Sequence, residues 1–133
     1  MIKLTNEKEI IKLLFKDFLT EYNSRSISRK MGISHVGAFK IFKRLEQKDI
    51  VKSRLVGRAR IYSLNLENPI TIREVESTLT IEAQNHRQWV EEFRALERKV
   101  KFIVLFGSIL RNEKKAKVID LLVVADKKEY HKI

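Results

Sequence analysis

Along the first third of the chain, apolar residues recur at the three- and four-residue steps of helices buried on one side. Over Asn6–Leu19 they are Ile10, Ile11, Leu14, Phe15 and Phe18, opposed by Lys8, Lys12 and Lys16, which predicts a helix packed behind the next two helices. A polar stretch over residues 20–25 leads to a short second helix. Ile27, Met31 and Ile33 lie on the inner side of this helix and of the turn leaving it, with Gly32 where a helix-ending residue in the left-handed conformation belongs. Ser34 then caps a third helix, Ser34–Lys48, whose Ala38, Ile41, Phe42 and Leu45 form a buried face. His35, Gly37, Lys40, Lys43 and Arg44 are left on or beside the open face. After Gln47, Lys48 and Asp49 the pattern changes: Val51–Leu55 and Arg60–Leu64 read as short strands around Val56, Gly57, Arg58 and Ala59. Gly57 supplies the tight turn and Arg58 sits at its tip.

Residues 65–69 read as a linker ending in the only proline, Pro69. Beyond it Ile72, Val75, Leu79, Glu82, His86, Trp89, Phe93, Leu96 and Val100 alternate in steps of three and four, with Glu82 and His86 interrupting the stripe. The pattern fits one long helix, or a pair whose second member starts near Glu82. Two apolar runs close the chain, Phe102–Phe106 and Val118–Val124, and both fit buried strands. The fold class expected is α+β, in three parts: residues 1–66, a helical segment 67–101 and a small β-containing module 102–133.

The segment from Ser26 to Leu64 has a Gly-Ile-Ser turn, a helix of suitable length, a Leu-Glu-x-x-x-Ile-Val exit and a Gly-Arg hairpin, in that order. It resembles the winged helix-turn-helix domains of bacterial and archaeal transcription regulators over residues 5–66. The resemblance implies a sequence-selective partner in double-stranded DNA, with the third helix in the major groove and its N-terminal residues, from Ser34 on, at base edges. His35, Gly37, Phe39 and Lys40 are the candidates for base or groove contact. Lys43, Arg44, Arg58 and Arg60 are the candidates for phosphate or minor-groove contact. Regulators of this kind bind paired half-sites as symmetric dimers, so residues 72–100 are expected to form a homodimer. The alternative is that the same stripe packs only against its own chain.

The last third carries a second pattern: Leu105-Phe106-Gly107-Ser108 at the end of one apolar run and Ile119-Asp120-Leu121-Leu122-Val123-Val124 in the other. It resembles the minimal archaeal and bacterial nucleotidyltransferases, whose cores read apolar strand, Gly-Ser, basic segment, then Asp-x-Asp in a second strand. That family holds two divalent metals on carboxylates while Gly-Ser contacts phosphate. Here the first aspartate of the pair is replaced by Val118, and Asp126 and Glu129 follow the second run too closely to stand in for a carboxylate on a third strand. The resemblance therefore implies a truncated, degenerate module. Gly107, Ser108 and Asp120 are its candidate nucleotide-binding residues, no residue is assigned a catalytic role, and the module offers a place for a nucleotide or protein partner. Rival readings are a nucleotidyltransferase targeted by its winged helix and an antitoxin-like subunit.

Charge sharpens the DNA reading. The 133 residues carry a formal net charge of +11. Residues 1–66 hold 15 Lys+Arg against 6 Asp+Glu, a net of +9, whereas residues 67–133 hold 13 against 11, a net of +2. The excess sits on the candidate reader, as expected for a polyanion partner. With no cysteine, disulfides, thiolate metal sites and cysteine nucleophiles are excluded, and a cytoplasmic location is the simplest fit. His35, His86 and His131 share no ligand spacing, so no metal or other cofactor is expected. No run of about 18 apolar residues is present and the N-terminal segment is broken by charges, which predicts neither a signal peptide nor a membrane span.

Overall fold

The computed structural model describes residues 1–112 and 114–133, which divide into two compact units, Met1–Asn85 and His86–Ile133. Among the described residues there are five α-helices and two separate two-stranded antiparallel sheets, an α+β architecture.

The first unit opens with helix α1, Asn6–Lys16, capped by the Thr5 hydroxyl, which accepts from the Lys8 backbone N–H. Ile10, Ile11 and Leu14 are buried from it as the periodicity requires. The helix stops at Lys16 rather than continuing to Leu19. Asp17 takes the C-cap and accepts hydrogen bonds from Thr20 Oγ1 at 2.8 Å and Tyr22 Oη at 2.5 Å, so the chain turns there and leaves Phe18 exposed instead of inward. Helix α2, Ser24–Met31, begins with a reciprocal capping box between Asn23 and Ser26 and ends at Gly32, whose φ of 67° is left-handed. Helix α3, His35–Gln47, starts from the Ser34 cap and buries Ala38, Ile41, Phe42 and Leu45.

Strands β1, Val51–Val56, and β2, Ala59–Leu64, pair from Val51↔Leu64 to Val56↔Ala59, one residue further toward the turn than the sequence pattern suggested. Gly57, at φ 60°, and Arg58 form the two-residue turn. Tyr22 adds an isolated bridge to Tyr62 on the other side of β2, which closes the small sheet against the helices.

Helix α4, Pro69–Asn85, completes this unit. Its inner face differs from the stripe read in the sequence: Thr71, Val75 and Thr78 are buried while Ile72 is exposed. The threonines tolerate burial because a backbone carbonyl accepts from each hydroxyl, Ile50 O from Thr71 at 3.4 Å and Glu74 O from Thr78 at 2.7 Å. Glu82, which interrupts the stripe, faces α1 and pairs with Lys16 at 2.6 Å and Lys12 at 3.7 Å. The alternative of a broken helix is the one observed: α4 ends at Asn85, whose amide holds the backbone of Ile2 through two hydrogen bonds, and α5 spans Arg87–Glu92.

In the second unit, β3, Phe102–Phe106, pairs antiparallel with β4, Asp120–Val124, in a register that sets Phe106 opposite Asp120. The strands are not buried as their apolar runs suggested. Phe102, Val104, Phe106 and Leu122 are each exposed, because a two-stranded sheet covers at most one of its faces with its own chain. Among the described residues, no helix is long and apolar enough to cross a membrane.

Candidate nucleic-acid interface

Helix α3 presents its open face because its four buried positions fall on the opposite side. Val36, Phe39, Lys40 and Lys43 lie three or four residues apart on that open face, and all are exposed. The N-terminus of the helix is organised internally. Ser34 Oγ accepts the Gly37 backbone N–H at 3.0 Å, and His35 Nε2 lies 3.0 Å from Ser24 Oγ on α2. A Cβ at Gly37 would stand 2.9 Å from the Ser34 hydroxyl that caps the helix. The His35–Ser24 contact thus links the start of α3 to the start of α2.

Ion pairing sorts the cations of this unit into two sets. Lys8 bonds Glu74 at 3.1 Å, Lys52 bonds Glu67 at 3.0 Å, and Arg54 is held by Glu21. Glu7 of α1 takes both Arg44, at 3.7 Å, and Lys48, at 3.0 Å. Arg44 therefore leans toward α1, and a phosphate must compete with Glu7 for it. Arg60 donates to Ser53 Oγ at 2.9 Å, and Ser53 in turn donates to Glu46 of α3, so this arginine links the wing to the helix. Arg25 and Arg29 of α2, Lys40 and Lys43 of α3, and Arg58 at the wing tip are exposed and have no carboxylate partner among the described residues, while exposed Lys30 of α2 forms no ion pair but lies close enough to Asp17 to favour its charge. Charges left unneutralised in this way cost little in water and are available to an outside anion.

Val36, Arg25, Arg29 and Lys30 were not singled out from the pattern of the sequence. Two signals mark them: Val36 lies one helical turn before Lys40, and residues 22–45 contain no Asp or Glu while holding six Lys and Arg. Behind the face, the ring of Phe42 stacks on that of Tyr62 from β2. Burial pushes the Tyr62 hydroxyl above its ordinary range, Glu46 adds to the shift and Arg60 opposes it.

In the second unit Gly107, at φ 85°, lies directly against the Asp120 side chain, and a Cβ at 107 would overlap the carboxylate. Ser108 follows in a single 3₁₀ turn, Gly107–Leu110. The three residues of the Gly-Ser and Asp pattern are thus neighbours. Val118 is exposed. No group of three or more His, Asp and Glu able to hold a metal ion occurs among the described residues.

Neither a protein-family model nor a curated protein matches the sequence. Solved structures match the fold. A ZitR variant from Lactococcus lactis has a TM-score of 0.53 at 18% identity over 86% of this chain and 70% of that one. MepR, a transcription regulator of the Staphylococcus aureus multidrug efflux pump MepA, has a TM-score of 0.55 at 12% identity over 84% and 71%. AdcR, the adhesin competence repressor of Streptococcus pyogenes, has a TM-score of 0.53 at 12% identity over 86% and 84%. A MepR variant bound to an oligodeoxyribonucleotide matches with a TM-score of 0.53 at 11% identity, over 84% and 71%. At these identities the likeness is one of fold. The chain carries the winged helix-turn-helix fold of these regulators.

Proposed function

We propose that the chain is a sequence-selective regulator of transcription that binds double-stranded DNA as a homodimer. The observation that carries this reading is the sorting of the cations: apart from Lys3 near the N-terminus and Arg60, which bonds Ser53, those of residues 1–66 without a carboxylate partner lie on α2, α3 and the wing tip, the elements that enter or flank DNA in a winged helix. The fold neighbours support it, since MepR is described as a transcription regulator and a variant of it was solved with an oligodeoxyribonucleotide. In this reading α3 lies in the major groove, Lys40 meets bases, Lys43 and Arg58 meet phosphates, and Arg44 and Arg60 contribute second to their internal partners.

Residues 1–66 read DNA, residues 67–101 carry the dimer contact, and residues 102–133 form the nucleotidyltransferase-like module, without transferase activity. The dimer contact is assigned to the Trp89, Phe93 and Leu96 side of the segment, where the Trp89 and Phe93 rings stack with centroids 6.3 Å apart. Sedimentation of the intact chain is expected to give twice the 15.7 kDa chain mass. Charged residues at Phe93 and Leu96 are expected to yield monomers with weaker DNA binding. Fluorescence anisotropy on random and selected duplexes tests the function itself. Binding that ignores both sequence and salt would overturn it.

A further inference from the structure

The N-terminal half of α3 offers a duplex few free hydrogen-bonding groups. The Ser34 hydroxyl caps Gly37, the His35 ring is engaged by Ser24 at 3.0 Å, and Gly37 has no side chain. What stands out from the first two turns is apolar: Val36 is 61% exposed and Phe39 47% exposed. Lys40 and Lys43 follow on the same face without carboxylate partners among the described residues. Apolar groups held in water beside free cations want a surface that is both anionic and locally apolar. A major groove supplies both, phosphates on its walls and the C5-methyl of thymine on its floor.

We infer that Val36 and Phe39 read thymine methyl groups, so the preferred half-site carries thymines where the N-terminal half of α3 enters the groove. The inference rests on the reading of α3 as a DNA-facing helix and specifies which base that helix selects. Base choice at these positions would come from methyl contact and shape, beside the base contact of Lys40, with Lys43 supplying attraction and register.

The test uses the full chain to select duplexes from a random library, then replaces each selected thymine by deoxyuridine, which lacks only the methyl group. At the positions facing Val36 and Phe39, affinity is expected to fall about three- to five-fold per methyl removed. Val36→Ala and Phe39→Ala are expected to bind thymine and uracil duplexes alike at the corresponding positions. Both side chains are exposed, so the variants should keep the parent's circular dichroism spectrum and its salt dependence on random DNA. Equal binding of thymine and uracil duplexes by the parent, or a uracil penalty that persists in both variants, would overturn the inference while leaving DNA binding intact. Failure to bind any duplex at low salt would remove the DNA reading itself, and the methyl contact with it.

Discussion

The ring of Phe42 lies flat on that of Tyr62, with centroids 3.9 Å apart and planes 6° from parallel. The contact joins the middle of α3 to the middle of β2 and so packs the helix against the hairpin beneath the exposed face. Phe42 is fully buried and Tyr62 nearly so. Phe42→Ala is expected to cost about 3–5 kcal/mol, the range for emptying an aromatic site in a core, and to be read as a lower urea midpoint. Tyr62→Phe keeps the stack and should change stability by less than about 1 kcal/mol.

Salt dependence separates the two sets of cations. If a dimer makes roughly six phosphate contacts, log K should fall with log salt at a slope of about 5. Lys43→Ala is expected to reduce that slope and to weaken specific and random DNA alike. Arg44→Ala should reduce it less, because Arg44 already shares Glu7 with Lys48. An equal effect of the two substitutions would show that Glu7 releases Arg44 on binding.

At the wing, Arg58 sits in a two-residue turn with no carboxylate partner among the described residues, so its side chain has no part in holding the hairpin. Arg58→Ala should leave the melting temperature unchanged and lower DNA affinity. Gly57→Val acts differently. Its φ of 60° is strained for a β-branched residue, and the variant should loosen the β1–β2 hairpin and lose affinity and stability together.

The pair Asp17 and Tyr22 predicts a pH dependence at the end of α1. The hydrogen bond from Tyr22, then that from Thr20, holds the Asp17 carboxyl below its ordinary value, with Lys30 helping and desolvation opposing. Stability from the ionised carboxylate is therefore present above the ordinary carboxylate range and is lost as pH falls through the lowered value. The same hydrogen bond, followed by burial, raises Tyr22, whose contribution is present below the ordinary tyrosine range and is lost as pH rises through the raised value. Tyr22→Phe should move the Asp17 carboxyl resonance, followed by NMR titration, back toward its ordinary midpoint. An unmoved midpoint would mean that Thr20 alone holds the carboxylate.

The helix-turn-helix and the hairpin were legible in the sequence because the local signals agreed there: Ser34 caps, Gly32 and Gly57 take positive φ, and the apolar spacing of α3 matches its buried residues, whereas the Asn23 cap of α2 was read only as part of a polar stretch. The end of α1 was not legible, since Phe18 continues the apolar spacing while the Asp17 side-chain bonds turn the chain away. The register of α4 was hidden for another reason. Thr71 and Thr78 look polar in sequence but bury well once backbone carbonyls accept their hydroxyls, whereas apolar Ile72 is left outside. Ion pairing was equally invisible: nothing local to Arg44 indicates that Glu7, 37 positions earlier, lies beside it.

The approach of Gly107 to Asp120 sets the last prediction. Gly107 combines a φ of 85° with no space for a Cβ against the Asp120 carboxylate, so Gly107→Ala carries two separate penalties, conformational and steric. Asp120→Gly should relieve only the steric one. The double variant is therefore expected to be more stable than Gly107→Ala alone yet less stable than the parent, a non-additivity measurable by thermal unfolding of the intact chain. DNA affinity should be unaffected by Asp120→Ala if the module is separate from the reader. Incubation of the parent with labelled nucleoside triphosphates and Mg²⁺ or Mn²⁺ is expected to give no transfer, since Val118 offers no oxygen to a metal and Asp120 alone cannot complete the oxygen set that Mg²⁺ demands. Metal-dependent transfer that disappears in Asp120→Ala would reverse that assignment and require carboxylates from another chain.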